Sequence, residues 1–334
     1  MTLPIIFGCA GTVFTADERE LFRRADPLGF ILFARNCADP GQIRALVDDF
    51  RATVGRADAP VLIDQEGGRV QRLQPPHWRA APPPARFGMI ATQDRALGRE
   101  GAALNARLIA AELADLGIDV DCVPCVDLRL PGAHHVIGDR ALGEDPELVA
   151  EMGRAVAEAF LAGGVLPVVK HIPGHGRALA DSHHELPVVT ASAAELERTD
   201  FVPFRALADM PWAMTAHVVY TAYDDTKPAT LSRRVIDRVI RGHIGFDGVL
   251  LSDDLNMKAL DGDLGELAAA SLAVGCDLAM HCNGDLGEMT RIVAAIKPIG
   301  PKTQARLDAG RARLGGLPID RQVAATRLTE ILAA

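Results

Sequence analysis

The sequence predicts a (β/α)8 barrel, in which a closed cylinder of parallel strands is surrounded by helices. Short apolar runs rich in β-branched residues alternate with amphipathic segments along the chain. The 334 residues are enough for one barrel of ordinary size, and 49% of them are apolar. No stretch has the composition of a linker between two independent α/β domains. These observations favour one barrel over two smaller domains.

The candidate strands are nearly continuous apolar runs, as expected for strands buried on both faces of a parallel sheet. They are Pro4–Cys9, Phe30–Ala34, Val61–Asp64, Ile118–Val126, Leu166–Lys170, Ala213–Val219, Val249–Ser252 and Asp277–Cys282. The Pro-rich stretch 75–84 follows the third run. We expect it to form a long loop at the mouth of the barrel.

The clearest helix signal follows the fourth strand. Asp145 is a favourable N-cap residue, Pro146 suits the first helical position, and Gly163-Gly164 ends the apolar periodicity. A second pattern begins at Ser232, and we expect it to end at Gly242. Residues from about 302 onward are predicted to form closing helices. We therefore interpret residues 1–334 as a single barrel domain.

Composition excludes several classes of protein. The chain has 35 basic and 44 acidic residues, a net charge of −9, so it is a poor candidate for binding nucleic acid or anionic lipid. Its apolar runs are shorter than the ~20 residues that span a bilayer, and its start lacks a basic targeting segment. We expect a cytoplasmic protein without a membrane partner, and a monomer.

Six cysteines are too few for a disulfide scaffold in a chain of this length. Cys122 and Cys125 form a CxxC motif, but they lie in a predicted strand, where positions i and i+3 face opposite sides. Redox CxxC pairs begin a helix, and zinc pairs come with a second pair. We interpret both residues as buried thiols.

In such a barrel, reactive side chains lie where strands end. Unusual polar residues occur at the ends of several candidate strands, and we expect them to face one rim. They are Asp64 and Glu66, Arg140, Lys170 and His171, Asp181 to His183, His217, Asp253 and Asp254, and His281.

The fifth strand and its loop are the most informative. Lys170 follows two valines and would be costly to bury without an acceptor, although a strand end extending to solvent is an alternative. Pro173-Gly174 predicts a turn, and Gly176 permits close approach to a ligand. Asp181–His183 alone is equally consistent with a surface turn.

The seventh strand runs directly into two carboxylates, Asp253 and Asp254. Adjacent strand residues point to opposite sides, so we expect only one of them to face the barrel mouth. The pattern does not decide which. Capping of the next helix by both remains an alternative.

Four motifs together resemble family 3 glycoside hydrolases, and more narrowly the single-domain bacterial β-N-acetylglucosaminidases of cell-wall recycling. They are Asp64-Gln-Glu-Gly-Gly-Arg-Val-Gln-Arg72, Lys170-His-Ile-Pro-Gly-His-Gly176, Ala180-Asp-Ser-His183, and Ser252-Asp-Asp-Leu255 with Met257. The resemblance runs from about Ile5 to Cys282. This chain has Ile172 where the family usually has Phe.

The resemblance implies a retaining mechanism with a covalent glycosyl-enzyme intermediate. By analogy Asp253 is the nucleophile, His183 is the general acid/base, and Asp181 orients His183. The positions that would hold the terminal N-acetylglucosamine are Asp64, Arg72, Arg140, Lys170 and His171. No metal or cofactor is implied.

Elementary chemistry agrees with these roles. Histidine titrates near neutral pH, so His183 can give and then remove a proton, and Asp181 can accept its other N–H. Only 4% of residues are aromatic, with Trp78 and Trp212 the only tryptophans, so binding of a long polymer is not expected. We expect an exo-acting enzyme on small soluble muropeptides or amino sugars.

Chain length also favours an N-acetylhexosaminide over a plain glucoside. Larger family members that cleave glucosides carry further domains, which commonly supply the acid/base. Here the predicted barrel accounts for nearly all residues, so the proton donor is expected to come from it.

Other functions stay open at this point. A broader β-glucosidase-type activity is one of them, a sugar-binding barrel without catalysis is another, and phosphate in place of water as acceptor is a third. A zinc-dependent barrel hydrolase would use histidines as ligands, namely His171, His175, His183, His184, His217 and His281. The Pro173-Gly174 step argues against it, because it breaks the helix that ligands at positions i and i+4 need.

Overall fold

The fold was obtained as a computed structural model, which describes residues 1–130, 132, 135–178, 180–182 and 185–334. Eight parallel strands close into a barrel in chain order, and this confirms the predicted fold class. The strands are β1 (Leu3–Phe7), β2 (Pro27–Leu32), β3 (Val61–Ile63), β4 (Val120–Asp121), β5 (Leu166–Ile172), β6 (Trp212–Thr215), β7 (Val249–Asp254) and β8 (Leu278–His281). Pairing of Ile5 with Ala279 closes the cylinder.

Helices surround the barrel. They are α1 (Ala16–Ala25), α2 (Pro40–Val54), α3 (Pro84–Gln93), α4 (Arg95–Ala114), α5 (Pro146–Ala162), α6 (Ala193–Arg198), α7 (Phe201–Ala206), a π-helix (Val235–His243), α8 (Leu264–Val274), α9 (Leu286–Ala295), α10 (Pro301–Arg311) and α11 (Arg321–Ala333). Short 3-10 turns occur at Ala34–Asn36, Gly138–Arg140 and Ala229–Leu231. Among the described helices, none is both long and apolar enough to cross a membrane.

The two predicted helices have different outcomes. Asp145 caps α5 by accepting from the Glu147 N–H at 2.9 Å, as predicted. After Ser232, the helix is a π-helix that continues through Gly242 to His243, so the predicted end was wrong. The apolar residues of that helix still face inward, because a π-helix also brings every fourth or fifth residue to one side.

The fourth strand is much shorter than predicted. Only Val120–Asp121 pairs as a regular strand, because Pro124 has no N–H to donate to a ladder. The Pro124 carbonyl accepts from the Lys170 N–H at 3.0 Å, and pairing resumes as an isolated bridge between Cys125 and Lys170. Cys122 and Cys125 are buried free thiols, as interpreted.

The third βα connection is long, as predicted. It begins with a hairpin (Gln65–Gly67 and Val70–Gln71), continues through the Pro-rich stretch, and reaches α3 at Pro84. A further small sheet (Val188–Val189, Val219–Tyr220 and Asp224–Pro228) lies after β5 and β6 in the chain. These insertions build the rim at the carboxyl ends of the strands.

Candidate functional site

The carboxyl ends of the strands and the loops after them surround a cavity of about 270 Å³. Its wall contains each described residue to which the family resemblance assigns a role, namely Asp64, Arg72, Arg140, Lys170, His171, Asp181 and Asp253. His183 and His184 lie outside the described residues. The cavity therefore occupies the face of the barrel where such folds bind their ligands.

Lys170, at the end of β5, is the centre of a buried ion-pair network. Its Nζ lies 2.7 Å from Asp64 Oδ1 and 2.7 Å from Glu66 Oε1. The residue is only 1% exposed, so the alternative that it extends to solvent is wrong. Two carboxylate acceptors meet the requirement that a buried ammonium group imposes.

Arg140 joins the same network from the loop after β4. Its Nε and Nη2 donate to Glu66 Oε2 at 2.9 Å and to Glu66 Oε1 at 2.8 Å. Glu66 therefore holds Lys170 and Arg140 side by side at the cavity wall. Two adjacent cationic donors suit hydroxyl and amide oxygens of a ligand.

The carboxylates of this network are held in their ionised form. Burial raises the pKa of Asp64, but the charges of Lys170 and Arg72 outweigh it and keep the pKa well below its usual range. For Glu66 burial again acts upward, whereas Arg140 and Lys170 lower the pKa to about 2. Burial alone would lower the pKa of Lys170, but Asp64 and Glu66 raise it above its ordinary value.

Arg72 reaches the cavity from the segment after the hairpin. Its Nη2 donates to Asp64 Oδ2 at 3.1 Å, and its guanidinium lies 5.1 Å from the ring centre of Phe33. Phe33 itself lines the cavity, and the Arg35 guanidinium lies 5.0 Å from the centre of its ring. This aromatic surface was not predicted, because a Phe within an apolar run looks like core.

Asp127 is a fully buried carboxylate behind the cavity with several hydrogen-bond partners, and it was not predicted from the sequence. Its Oδ2 lies 2.6 Å from His171 Nδ1, and its Oδ1 accepts from the His175 N–H at 2.6 Å. The bond to Nδ1 orients the His171 ring, which lines the cavity. A lone carboxylate in the apolar run Cys125-Val-Asp-Leu128, just after a strand, was the signal that could have revealed it.

Asp253 and Asp254 both line the cavity, so the expectation that only one would face the mouth was wrong. The pairing of β7 with β8 shifts register between Leu251 and Asp254, which disrupts the strict alternation of side chains. Asp254 Oδ1 accepts from the N–H groups of Asn256 at 3.1 Å and Cys282 at 3.2 Å. Asp254 therefore joins the turn after β7 to the end of β8.

The two neighbouring carboxylates have pKa values that move in opposite directions. Burial raises the pKa of Asp253, but His171 and His217 reverse this effect and lower it overall. Burial raises the pKa of Asp254 to about 6, and the charge of Asp253 adds to that effect. Asp253 consequently keeps its charge to lower pH than Asp254 does.

Gly176 has a structural role in the loop after β5. A Cβ there would overlap the Leu128 carbonyl oxygen, so the close approach that the sequence analysis assigned to a ligand is made to the protein backbone. Gly174 has φ +137° at the predicted turn, and its carbonyl accepts from the Tyr220 hydroxyl at 2.7 Å. Glycine is required at both positions.

Comparison with known proteins identifies the family. The sequence profile described as the Glycosyl hydrolase family 3 N terminal domain matches residues 10–317. The chain belongs to glycosyl hydrolase family 3. A beta-hexosaminidase of Bordetella avium is 38% identical over 286 residues, which is 84% of this chain and 80% of that protein. One of Thiobacillus denitrificans is 40% identical over 292 residues, 85% of this chain and 79% of that protein.

A solved structure in the same family has nearly the same extent. NagZ from Neisseria gonorrhoeae, in complex with N-trifluoroacetyl-D-glucosamine, superposes with a TM-score of 0.89 at 31% identity. The match covers 99% of this chain and 98% of that one. The family 3 barrel described here is therefore similar to it over its length.

The same rim of this family 3 barrel contains a cluster of potential metal ligands. In the described part of the chain, Cys125, Asp127 and His171 offer ligand atoms within 4.8 Å of one another. Asp127 Oδ2 already accepts from Cys125 Sγ at 3.3 Å and lies 2.6 Å from His171 Nδ1. A cation would have to displace these hydrogen bonds, so the cluster as it stands holds His171 in place.

The histidines proposed as zinc ligands do not converge in the described part of the family 3 rim. His217 Nδ1 lies 2.7 Å from Thr230 Oγ1. His281 faces the helices instead of the rim, with its ring 6.2 Å from that of Phe7 and Nε2 3.4 Å from Glu288, so its predicted placement was wrong. Its position on β8 puts the side chain on the outer surface of the barrel.

Proposed function

We propose that this chain is a retaining exo-β-N-acetylglucosaminidase that removes terminal non-reducing N-acetylglucosamine from soluble peptidoglycan fragments, such as anhydromuropeptides, in the cytoplasm. Family membership and the curated relatives make it a glycoside hydrolase that acts as a β-N-acetylhexosaminidase. The amino-sugar analogue bound by NagZ supports N-acetylglucosamine as the sugar. The cell-wall fragment as natural substrate is inferred from the sequence resemblance.

One observation supports the mechanism most strongly. Asp253 is a partly exposed carboxylate with a lowered pKa at the wall of a cavity that also carries Asp64, Arg72, Arg140 and the other predicted sugar-binding residues. A retaining glycosidase needs an ionised carboxylate within reach of the anomeric carbon. The cavity volume of about 270 Å³ suits one terminal sugar and supports exo action.

In the proposed first step, an Asp253 oxygen attacks C1 of the sugar and forms an ester. The bond from C1 to the glycosidic oxygen breaks, and the protonated His183 ring donates a proton to that oxygen as the aglycone leaves. In the second step, neutral His183 takes a proton from water, whose oxygen attacks C1 and releases Asp253. Asp181 accepts the other ring N–H and stabilises the charged ring.

The cationic wall would bind the sugar before and during these steps. Lys170 and Arg140 can donate to hydroxyl and acetamido oxygens, while Asp64 can accept from hydroxyl groups. Lys170, Arg140 and Asp64 are each already in an ion pair, so no buried charge is uncompensated before or after a sugar binds to the cavity wall. His171 is oriented through Asp127 for the same purpose.

Hydrolysis of p-nitrophenyl N-acetyl-β-glucosaminide, compared with the β-glucoside, tests the substrate. We expect a preference of at least ~100-fold, the scale expected when buried polar groups lose their partner. Proton NMR during turnover should show the β-anomer of N-acetylglucosamine first. Equal rates on both sugars would support a broader β-glucosidase, and an α-anomer would exclude retention.

Labelling with a 5-fluoro glycosyl inactivator, followed by peptide mapping, tests the nucleophile. We expect the label on Asp253, and a label elsewhere would contradict its role. Activity in EDTA tests the zinc alternative, since a zinc hydrolase would lose activity. Sugar phosphate formed in phosphate buffer would show that phosphate replaces water.

Mass spectrometry of purified muropeptides after incubation tests the natural substrate. We expect loss of one N-acetylglucosamine per fragment, and unchanged fragments would contradict the assignment. We also propose that the protein acts as a monomer, which light scattering after size-exclusion chromatography would check.

A further inference from the structure

Ser182, which lies between Asp181 and His183 in the sequence, is held in place by two hydrogen bonds. Its Oγ lies 3.2 Å from His175 Nε2, and its carbonyl accepts from the Ala259 N–H at 3.0 Å. The residue is only 3% exposed. A loop residue that merely connects two catalytic groups would not need burial or two partners.

Both partners of Ser182 are connected to other parts of the site. The His175 N–H donates to Asp127 Oδ1 at 2.6 Å, and the His175 ring packs edge-to-face on His171 at 5.7 Å. Ala259 lies in the turn that follows β7, the strand that carries Asp253. Ser182 therefore connects the loop after β5 to the turn that follows the strand with the proposed nucleophile.

We propose that the hydrogen bond between Ser182 and His175 is the anchor that places Asp181 and His183 for proton transfer. Ser182 and His175 are then positioning residues for the general acid/base. The inference rests on the proposed function, because it assumes that His183 protonates the leaving group.

The bond is the one side-chain hydrogen bond of the His175 ring in the part of the chain that the structure describes, because Nδ1 is buried without a partner. Burial, assisted by His171, lowers the pKa of His175 to about 4. The ring is therefore neutral at physiological pH, and the Ser182 hydroxyl can donate to Nε2. Misplacement of a catalytic group by about 1 Å costs roughly 10²-fold in rate.

The test compares the dependence of kcat/KM on the leaving group among aryl N-acetyl-β-glucosaminides. A 2,4-dinitrophenolate leaves with little protonation, whereas a phenolate requires it. For Ser182→Ala we expect a loss of about 10- to 100-fold on the phenyl substrate and less than about threefold on the dinitrophenyl substrate. Ser182→Thr keeps the hydroxyl and should stay close to wild type on both.

Two substitutions at His175 provide a matched pair. The Gln side chain places its terminal group near Nε2, so His175→Gln should keep the bond to Ser182 and the wild-type dependence. The Asn side chain reaches only the Nδ1 position, so His175→Asn should resemble Ser182→Ala. In the double variant Ser182→Ala/His175→Asn, kcat/KM should depend on the leaving group no more steeply than in either single variant, because all three variants lack the same bond.

The ratio of kcat/KM on the two substrates does not depend on how much of a variant is folded, so a partly unfolded variant still tests the proposal. Equal losses on both substrates, or a wild-type ratio in Ser182→Ala, would overturn the anchor. His183→Ala separates the two levels of inference. If His183→Ala keeps the wild-type ratio, the proposed acid/base role of His183 is wrong. If His183→Ala changes the ratio but Ser182→Ala keeps it, only the proposed anchor is wrong.

Discussion

Both ends of the barrel bury a carboxylate between cations, but they use it differently. At the rim, Glu66 lies between Lys170 and Arg140, which line a cavity of about 270 Å³. At the opposite end, Asp277 precedes β8 and binds Arg241 of the π-helix at 2.8 Å and Arg306 of α10 at 3.0 Å. The elements joined at this second end are a strand and two helices of the scaffold.

The oxygens of Asp277 are occupied by protein donors. Oδ2 also accepts from the Leu250 N–H at 2.9 Å, and Oδ1 accepts from the Thr303 hydroxyl at 3.0 Å. At the rim, by contrast, Asp64, Lys170 and Arg140 all contribute to the cavity wall. The Asp277 network thus stabilises the scaffold, because protein donors occupy the carboxylate oxygens. The Lys170 network can also bind a ligand, because its side chains line a cavity. Four substitutions test this comparison.

Asp253→Ala should have the largest effect on activity. Loss of the proposed nucleophile should lower kcat/KM on p-nitrophenyl N-acetyl-β-glucosaminide by roughly 10⁴-fold or more, while thermal unfolding stays close to wild type. Activity assays and calorimetry on the same preparation check both. A variant that retains more than about a hundredth of the activity would remove Asp253 from the mechanism.

Lys170→Met should damage both activity and stability, because Asp64 and Glu66 lose their shared ammonium group. We expect kcat/KM to fall about 10²- to 10³-fold. In the wild type the low pKa of Glu66 contributes stability that is full above the unfolded value of 4.5 and is lost as pH falls toward about 2.

Without Lys170 the pKa values of both carboxylates rise, so the acid loss of stability should begin at higher pH than in the wild type. Urea unfolding between pH 3 and 7 measures this shift. Identical acid limbs in the two proteins would show that Lys170 does not control these carboxylates.

Asp277→Ala should affect stability alone. It leaves Arg241 and Arg306 without their shared buried carboxylate, and we expect the free energy of unfolding to fall by about 3 kcal/mol. Activity per folded molecule should stay within about twofold of wild type. Asp308→Ala, at an exposed position of α10, is the control and should change stability by less than about 0.5 kcal/mol. A large loss of kcat/KM in Asp277→Ala would break the distinction between the two ends.

Asp254→Asn should show the smallest effect, and only as a function of pH. The folded protein raises the pKa of Asp254 to about 6 from an ordinary 3.8, so ionising it costs stability above pH 6, and this cost vanishes as pH falls toward 4. The variant should therefore gain stability relative to wild type between pH 4 and 6, with no further gain at higher pH. Melting temperatures across this range measure the gain, and a constant difference would contradict the raised pKa.

Much of the fold could be predicted because its signals are local. The alternation of apolar runs with helical patterns led to the barrel, and Asp145 marked the start of α5. The length of β4 could not be predicted from hydrophobicity, since the apolar run continues through Pro124 while the hydrogen-bond ladder does not. The same limit applies to Asp253 and Asp254, where a register shift brings both to the cavity.

The sequence by itself determined the barrel and the set of polar residues at strand ends, because strand periodicity and the placement of charges within apolar runs are properties of neighbouring residues. Only the tertiary structure decided which of these charged groups form ion pairs or hydrogen bonds with one another. Glu66 binds Arg140 across 74 positions of the chain, and Asp127 holds His171 across 44. His281, with the same sequence signal, faces away from the cavity toward Glu288 of α9. Such contacts depend on the closure of the barrel, which sets the direction of each side chain and has no local signature.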